Sequence, residues 1–259
     1  MNRFKICSSN IRFENNNDGQ NSWINRLPLL STFFTKNQFA IIGTQEGREL
    51  QLRSLENKIP HSLQDQHREW IVERMYPAIF LKQHFFEVIL SGDIWLSETP
   101  SIPGSTSFNS AFPRLATWVQ LKTVRDAKSF IVINVHLDHV KSETRIEQVR
   151  VLTNEIKKIL NLNPLPIILM GDFNDSPESE VHQKLIHELK LTDPWIAKKM
   201  EEETSHHGFL GNKSSGSRID WILLSEEWIV ENIYLEKMNA DGIFLSDHYP
   251  LVATLIPNW

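Results

Sequence analysis

The stretch IILMGDFNDSP at Ile167–Pro177 decides how this chain is read. Ile167, Ile168, Leu169 and Met170 form a short apolar run that ends abruptly in polar residues, the signature of a buried strand. Gly171 supplies a backbone position where a side chain would clash. Asp172 and Asn174 are two apart, so on an extended backbone they point to one face. A carboxylate and an amide then stand together at the end of a buried strand, where α/β sheets build their sites. An Asx turn is the simpler account of Asp-Phe-Asn, and the rest of the chain has to be weighed against it.

The same arrangement recurs on both sides of this stretch. Phe4–Ile11 reads as a strand carrying Asn10, with Arg12 just beyond. Pro28 suits the first turn of a helix, in which Leu29, Leu30, Phe33 and Phe34 share a face. Phe39–Gly43 is a short strand that runs into Thr44, Gln45 and Glu46, and a helix follows over Leu50–Ile59. A lone Glu at that place is also a favourable charge at a helix N-terminus. Trp70–Leu96 holds three or four short strands with aromatic alternation. Pro100–Pro113 is a long loop, and loops of that length are often functional. Leu115–Lys122 and Ser129–His136 read as paired strands, the second ending at His136. Ser142 caps a helix with Ile146, Val149, Leu152, Ile156 and Ile159 on one face and Arg145 in its first turns. A further helix carries Val181, Leu185 and Leu189. His206 and His207 lie in a polar segment. Asp220 stands near the start of a strand over Arg218–Leu224, and Asp247 and His248 precede the last strand, Leu251–Ile256.

Each of these residues has a structural explanation. Asn10, Asn174 and Asp247 suit caps or turns, His136 suits a satisfied core histidine, and Asp220 a buried ion pair. Asn10, Glu46, His136, Asp172, Asn174, Asp220, Asp247 and His248 all falling at strand ends outweighs the separate explanations.

Composition bounds the function. The 259 residues read as one domain over 1–259, with 41% hydrophobic and 23% charged residues, as in a globular protein with a sizeable core. Eight Trp and fourteen Phe imply an aromatic interior. The net charge of −5 excludes a global basic field for long nucleic acid. A single cysteine, Cys7, excludes an internal disulfide framework and reads as a small buried hydrophobe. No stretch is long enough to span a membrane. The start, MNRFKICSSNIRF, lacks the apolar core of a signal peptide. A cytoplasmic monomer is the expectation.

The ordered set SSNIR, GTQEG, NVHLDH, MGDFNDSP, SRIDWILLS and LSDHYPL resembles the endonuclease/exonuclease/phosphatase superfamily, the DNase I-like fold. The likeness spans Asn10 to Pro250. It implies an α+β, four-layer αββα sandwich: two mostly antiparallel sheets face to face, with helices outside. Arg12 stands where abasic-site endonucleases carry an Asp, and His136 where they carry a Tyr, so abasic-site repair is disfavoured. WLSETPSIPGS, FPRLATW, NVHLDH and HHGF look more like a bacterial branch related to the nocturnin and carbon-catabolite-repression deadenylases. Gln64-Asp65-Gln66-His67 is shorter than the Gly-containing loop of that branch.

The resemblance implies a divalent-metal-dependent phosphoesterase using Mg2+ or Mn2+. Glu46 would be the main metal ligand, helped by Asn10 and Asp247. Asp172 would orient or deprotonate the attacking water, and Asn174 and His136 would hold the non-bridging oxygens. His248 would donate to phosphate, held in its tautomer by Asp220. Arg12, Arg114, Arg145 and His207 are second candidates for substrate phosphates, with surface ion pairs as the alternative. A patch of Arg12, Arg114, Arg145, Lys213 and Arg218, with Phe108, Phe112 and Phe209 for stacking, points to a nuclease acting on single-stranded RNA, other short nucleic acid, or a compact phosphodiester. The alternatives are a phosphatase or phospholipase on a phosphorylated small molecule or lipid, like the sphingomyelinases and inositol-polyphosphate phosphatases, and a catalytically dead binding module.

Overall fold

The computed structural model describes residues 3–161, 164–211 and 215–259. Lys213 lies outside the described residues. The elements follow in the order β1 (Phe4–Asn10), α1 (Trp23–Asn37), β2 (Ile41–Gly47), α2 (Glu49–Glu56), β3 (His61–Leu63), β4 (Tyr76–Lys82), β5 (Phe86–Trp95), β6 (Leu115–Thr123) and β7 (Ser129–His136). Then come α3 (Ser142–Asn161), β8 (Ile167–Asp172), α4 (Glu180–Leu189), α5 (Pro194–Ala197), β9 (Asp220–Leu224), β10 (Trp228–Leu235), β11 (Asn239–Ala240), β12 (Ile243–Phe244) and β13 (Leu251–Pro257).

Two sheets carry the molecule. One runs β10-β13-β1-β2-β4-β3, the other β5-β6-β7-β8-β9, and β11-β12 is a separate ribbon. Among the described residues only β1 with β2 and β7 with β8 pair in parallel. The sheets face each other across Phe4, Ile6, Ile41 and Ile79 on one side and Val119, Phe130, Val132 and Ile168 on the other. Helices α1 and α2 cover the outer face of the first sheet through Leu30, Phe33, Phe34, Leu52 and Leu55. Helices α3 and α4 cover the second through Val149, Leu152, Ile156, Val181 and Leu185. This is the expected four-layer α+β sandwich. A strand covered on both faces has no polar side to show, which is why β8 reads as an unbroken apolar run and is buried throughout.

Some local expectations shift. Helix α1 begins at Trp23, so Pro28 falls inside it rather than in its first turn. Ile24, whose carbonyl Pro28 cannot bond, lies on the solvent side. Trp70–Leu96 holds two strands, not three or four. Trp70 is in a loop, packed edge-on against Tyr76 with ring centroids 4.8 Å apart. Cys7 is fully buried, as expected.

The two parallel pairs set up the site. Their C-terminal ends lie side by side, bringing Asn10 beside Gln45 and His136 beside Asp172 in register. Asp172 is paired in turn with Asp220 of β9, so His136, Asp172 and Asp220 form one row across three strands. Below this row a buried amide pair ties the sheets. Gln45 Nε2 donates to Asn134 Oδ1 at 2.6 Å, and Asn134 Nδ2 donates to the carbonyls of Thr44 and Ala78. Gly171 sits where β7 and β8 come closest, and a Cβ there would run into the carbonyl of Val135.

Candidate active site

Where the strands end, the backbone bends in an uncommon way. Arg12, Glu46 and Asn174 all adopt positive φ, at 53°, 66° and 53°. For non-glycine residues this conformation is uncommon and clusters at functional sites. Glu46 lies in a register shift between Thr44 and Gly47, which turns its carboxylate out of the strand. Its Oε2 accepts the backbone N–H of Phe13 at 3.2 Å. Asp172 Oδ1 accepts the N–H of Asn174 at 3.0 Å. The Asx turn at Asp-Phe-Asn is therefore real, and it serves the site by leaving Oδ2 of Asp172 facing the cleft.

Asn10 joins the parts. Its Nδ2 donates to Asp172 Oδ2 at 2.9 Å and to Glu46 Oε1 at 3.2 Å, and lies 3.5 Å from His248 Nε2. His136 Nε2 is 3.5 Å and His248 Nε2 3.8 Å from the same Asp172 oxygen. On its far side His248 Nδ1 donates to Asp220 Oδ2 at 2.8 Å. Asp247 Oδ2 stands 3.8 Å from Arg12 Nε and 3.9 Å from His206 Nε2. Arg12 also donates to both carboxylate oxygens of Asp18.

Burial and charge set the protonation states. Burial pushes the Asp172 carboxyl up, and Asp220 and Glu46 add to the push, to about 7. Burial disfavours the charged form of His248, but the adjacent Asp220 carboxylate and its hydrogen bond outweigh it, with help from Asp172 and Asp247, and raise it to about 10. Burial holds His136 well below the ordinary histidine value, and the nearby Arg114 adds to this. Burial works against the Asp247 carboxylate, yet His248, Arg12 and His206 together hold its pKa below the ordinary value. His136 is thus neutral and His248 a cation at neutral pH.

The sequence candidates divide. Arg12, Glu46, Arg114, His136, Asp172, Asn174, Asp247 and His248 line one cleft of about 490 Å³. Asn10 and Asp220 stand directly behind it, bonded to its lining residues. Arg145 does not line the cleft; it is tied to Asp175 at 2.8 Å and to the carbonyl of Asp138. His207 does not line it either. Its ring stacks on Tyr249 with centroids 4.1 Å apart, and its N–H donates to the carbonyl of Asp247. Both hold loops in place around the site. Arg218 is buried against Asp193 and Glu202. Of the proposed stacking residues only Phe112 reaches the cleft; Phe108 packs on the core and Phe209 lies over Arg26.

Sequence reasoning missed other lining residues. Phe13 is flanked by the guanidinium groups of Arg12 and Arg48, at 4.4 Å and 5.2 Å from its ring. Arg74, Met75, His139 and His206 also stand in the walls, with Val72, Glu73, Pro113 and Ile219. Only His206 left a usable signal: neighbouring residues of an extended segment face opposite ways. His206 pairs with His248 while His207 turns to Tyr249.

The donor set suits a hard divalent cation. Glu46, Asp172, Asp220 and Asp247 crowd together, while Arg12 is shared with Asp18. Two groups, His206–Asp247–His248 and Asp172–Asp220–His248, bring their ligand atoms within 4.8 Å of one another. Both need His248, whose Nδ1 is already given to Asp220 at 2.8 Å. The carboxylates of Glu46 and Asp247 line the same cleft, and oxygen donors of this kind suit Mg2+ or Mn2+, whereas Asn10 turns its amide nitrogen to Glu46 and Asp172 and its Oδ1 accepts the N–H of Arg12 at 3.0 Å.

The two facing sheets, the outer helices and a cleft of strand-end carboxylates, amides and histidines define a phosphoester-hydrolase class of site. A family model described as Endonuclease/Exonuclease/phosphatase family matches residues 7–248, and the chain belongs to that family. A mannosyl-6-phosphatase, Bt3783 of Bacteroides thetaiotaomicron VPI-5482, superposes with a TM-score of 0.89 at 26% identity, over 98% of this chain and 99% of that one. A functionally unknown conserved protein of Enterococcus faecalis V583 gives a TM-score of 0.87 at 28% identity, over 98% of this chain and 100% of that one. The human Nocturnin catalytic domain shares the fold, with a TM-score of 0.76 at 19% identity, over 98% of this chain and 93% of that one. No curated protein matches the sequence. No helix among the described residues is long and apolar enough to cross a membrane.

Proposed function

We propose that this chain is a divalent-cation-dependent phosphoesterase that hydrolyses a compact phosphate ester. The observation that carries the reading is the Asn10 amide. It ties the carboxylates of Glu46 and Asp172 together, 3.5 Å from a His248 that is itself held by Asp220. A dead copy has no use for a base, a fixed imidazolium and a crowded oxygen set in one cleft.

In the reaction a water oxygen bonds to phosphorus and the ester P–O bond breaks, giving an alcohol and a phosphate. Mg2+ or Mn2+ would be held by Glu46, with Asp247 the other candidate, and would supply positive charge against the phosphate oxygens. Asp172 accepts the proton of the attacking water at Oδ2, the oxygen fixed by Asn10. His248, charged at neutral pH through Asp220, holds the oxygen on which negative charge grows. His136 and Asn174 add neutral donors at the same cleft. The Nδ2 of Asn174 is anchored on the carbonyl of Leu137 at 3.0 Å, which holds that side chain in one orientation. Asp247 balances Arg12 and His206 on the near wall.

The cleft favours a small substrate. Its volume, about 490 Å³, is that of a small-molecule pocket. Of the base-stacking residues the sequence suggests, only Phe112 reaches it, and the other phenylalanine in the wall, Phe13, lies beside the guanidinium groups of Arg12 and Arg48. The likeness to a bacterial mannosyl-6-phosphatase at 26% identity points the same way. A substrate panel of sugar phosphates, a dinucleotide, short oligo(A), sphingomyelin and an inositol polyphosphate tests it. Faster turnover of oligo(A) or the lipid than of every compact ester contradicts the substrate assignment.

A further inference from the structure

Arg114 lines the cleft, yet it is only 6% exposed. Among the described residues it makes no ion pair. Its Nη1 donates to His136 Nδ1 at 3.1 Å and its Nη2 to His139 Nδ1 at 3.3 Å, while its Nε is buried without a partner. The other buried arginines are settled differently. Arg68 pairs with Asp93, Arg145 with Asp175, and Arg218 with Asp193 and Glu202. Arg26 gives its donors to the carbonyls of Ile11, Arg12, Asn21 and Leu245. A buried cation without a counter-ion is costly. Arg114 keeps that cost inside the cleft, one imidazole away from Asp172.

Its two partners fix its orientation without neutralising it. Each histidine accepts through Nδ1, which leaves the ring proton on Nε2 and the guanidinium its full charge. His139 is exposed and stacks on Phe112, with centroids 5.8 Å apart and planes 19° from parallel. Arg114 also lies 5.7 Å from the Phe112 ring. The rings of Phe112, His136 and His139 thus border the guanidinium, with His136 between it and Asp172.

We propose that Arg114, steadied by His136 and His139, receives the terminal phosphate of the substrate and makes the site selective for phosphomonoester dianions over phosphodiesters. This rests on the phosphoesterase reading above. A phosphomonoester carries close to two charges at neutral pH and three terminal oxygens. A diester has one charge and two such oxygens, and its second substituent takes the place of the third. The planar fork of a guanidinium matches phosphate oxygens in pairs. Arg114, buried and held only by two neutral imidazoles, has no carboxylate to share its charge with, so the second charge of a monoester gains most there.

The test compares p-nitrophenyl phosphate with methyl p-nitrophenyl phosphate in Mn2+, for wild type, Arg114→Met and His139→Ala. Wild type should prefer the monoester, and Arg114→Met should lower the monoester-to-diester ratio of kcat/KM about tenfold or more, the loss expected for a charged hydrogen bond. His139→Ala, a surface change, should lower the same ratio mainly through KM. Inorganic phosphate binding, read by calorimetry, should weaken in both variants. A wild-type preference for the diester overturns the proposal and leaves the phosphoesterase reading standing. If neither ester is turned over, that reading fails, and phosphate binding alone judges Arg114. Unchanged phosphate affinity in Arg114→Met, or in His139→Ala should the first variant not fold, overturns the proposal.

Discussion

Nδ1 of His248 donates to Oδ2 of Asp220 across 2.8 Å, with both side chains buried. Burial alone favours the neutral imidazole, and the Asp220 carboxylate reverses that preference, holding His248 near 10. Asp220→Asn keeps an acceptor and removes the charge. The alkaline limb of the kcat–pH profile should therefore move to lower pH. Residues that share a task are non-additive, so Asp220→Asn with His248→Ala should be little worse than His248→Ala alone. Multiplied losses, with no movement of the alkaline limb, would show two separate roles.

Asp172 makes the opposite trade between stability and chemistry. Burial first, then Asp220 and Glu46, raise its folded value from 3.8 to about 7. A carboxyl raised on folding contributes stability that is full below its unfolded value and is lost as pH rises toward 7. Asp172→Asn is nearly isosteric and cannot ionise. In chelator its Tm should exceed that of wild type at pH 8, and the gap should close toward pH 4. Turnover should fall about 10²-fold or more, the share of a general base. A variant less stable than wild type at pH 8 would mean that the ionised carboxylate is net stabilising through His248.

Arg68 ties the two sheets together away from the chemistry. Its guanidinium donates to both oxygens of Asp93 at 2.8 Å and to the carbonyl of Pro77 at 3.2 Å. Thr117 Oγ1 accepts from the same guanidinium and lies 2.8 Å from the Pro77 carbonyl and 2.7 Å from Asp93 Oδ1, its one proton serving either. Burial opposes the Asp93 carboxylate, but Arg68 and His67 hold it below the ordinary range. A depressed carboxyl gives stability that is present above its unfolded value and lost as pH falls through the folded one. Asp93→Ala leaves Arg68 buried and unpaired, and should cost about 3–5 kcal/mol. Chemical denaturation reads the loss, and kcat of the folded fraction should hold. A cost within 0.5 kcal/mol, roughly that of a neutral surface change, would show that the tie carries no load.

Gly171 should tolerate no side chain. A Cβ meets the backbone of Val135, which cannot move aside without parting β7 from β8. Gly171→Ala should therefore lower Tm sharply and displace the neighbouring Asp172. Wild-type Tm and turnover in that variant would contradict the close approach.

The strand ends were legible because an apolar run that stops at a polar group is a local pattern. It marked β7, β8 and the approach to β13, and so His136, Asp172, Asp247 and His248. Strand β10 escaped notice: Glu231 and Asn232 interrupt its alternation where the register shifts between Val230 and Asn232. Arg145 and His207 have the chemistry and the sequence position of phosphate binders, yet their partners, Asp175 and Tyr249, are set by packing. Phe13, Arg48, Arg74 and His139 meet only when distant loops fold over the strand ends, and no spacing announces that.

Phosphoester hydrolysis by chelator-treated protein, with Mg2+ or Mn2+ titrated back, tests the central claim most directly. Wild type should lose activity on chelation and regain it with either ion, and calorimetry should show the ion binding. Glu46→Gln keeps the shape and removes the charge, so it should weaken ion binding and activity together. Undiminished hydrolysis in chelator, or a Glu46→Gln variant that binds the ion and turns over like wild type, would contradict the account.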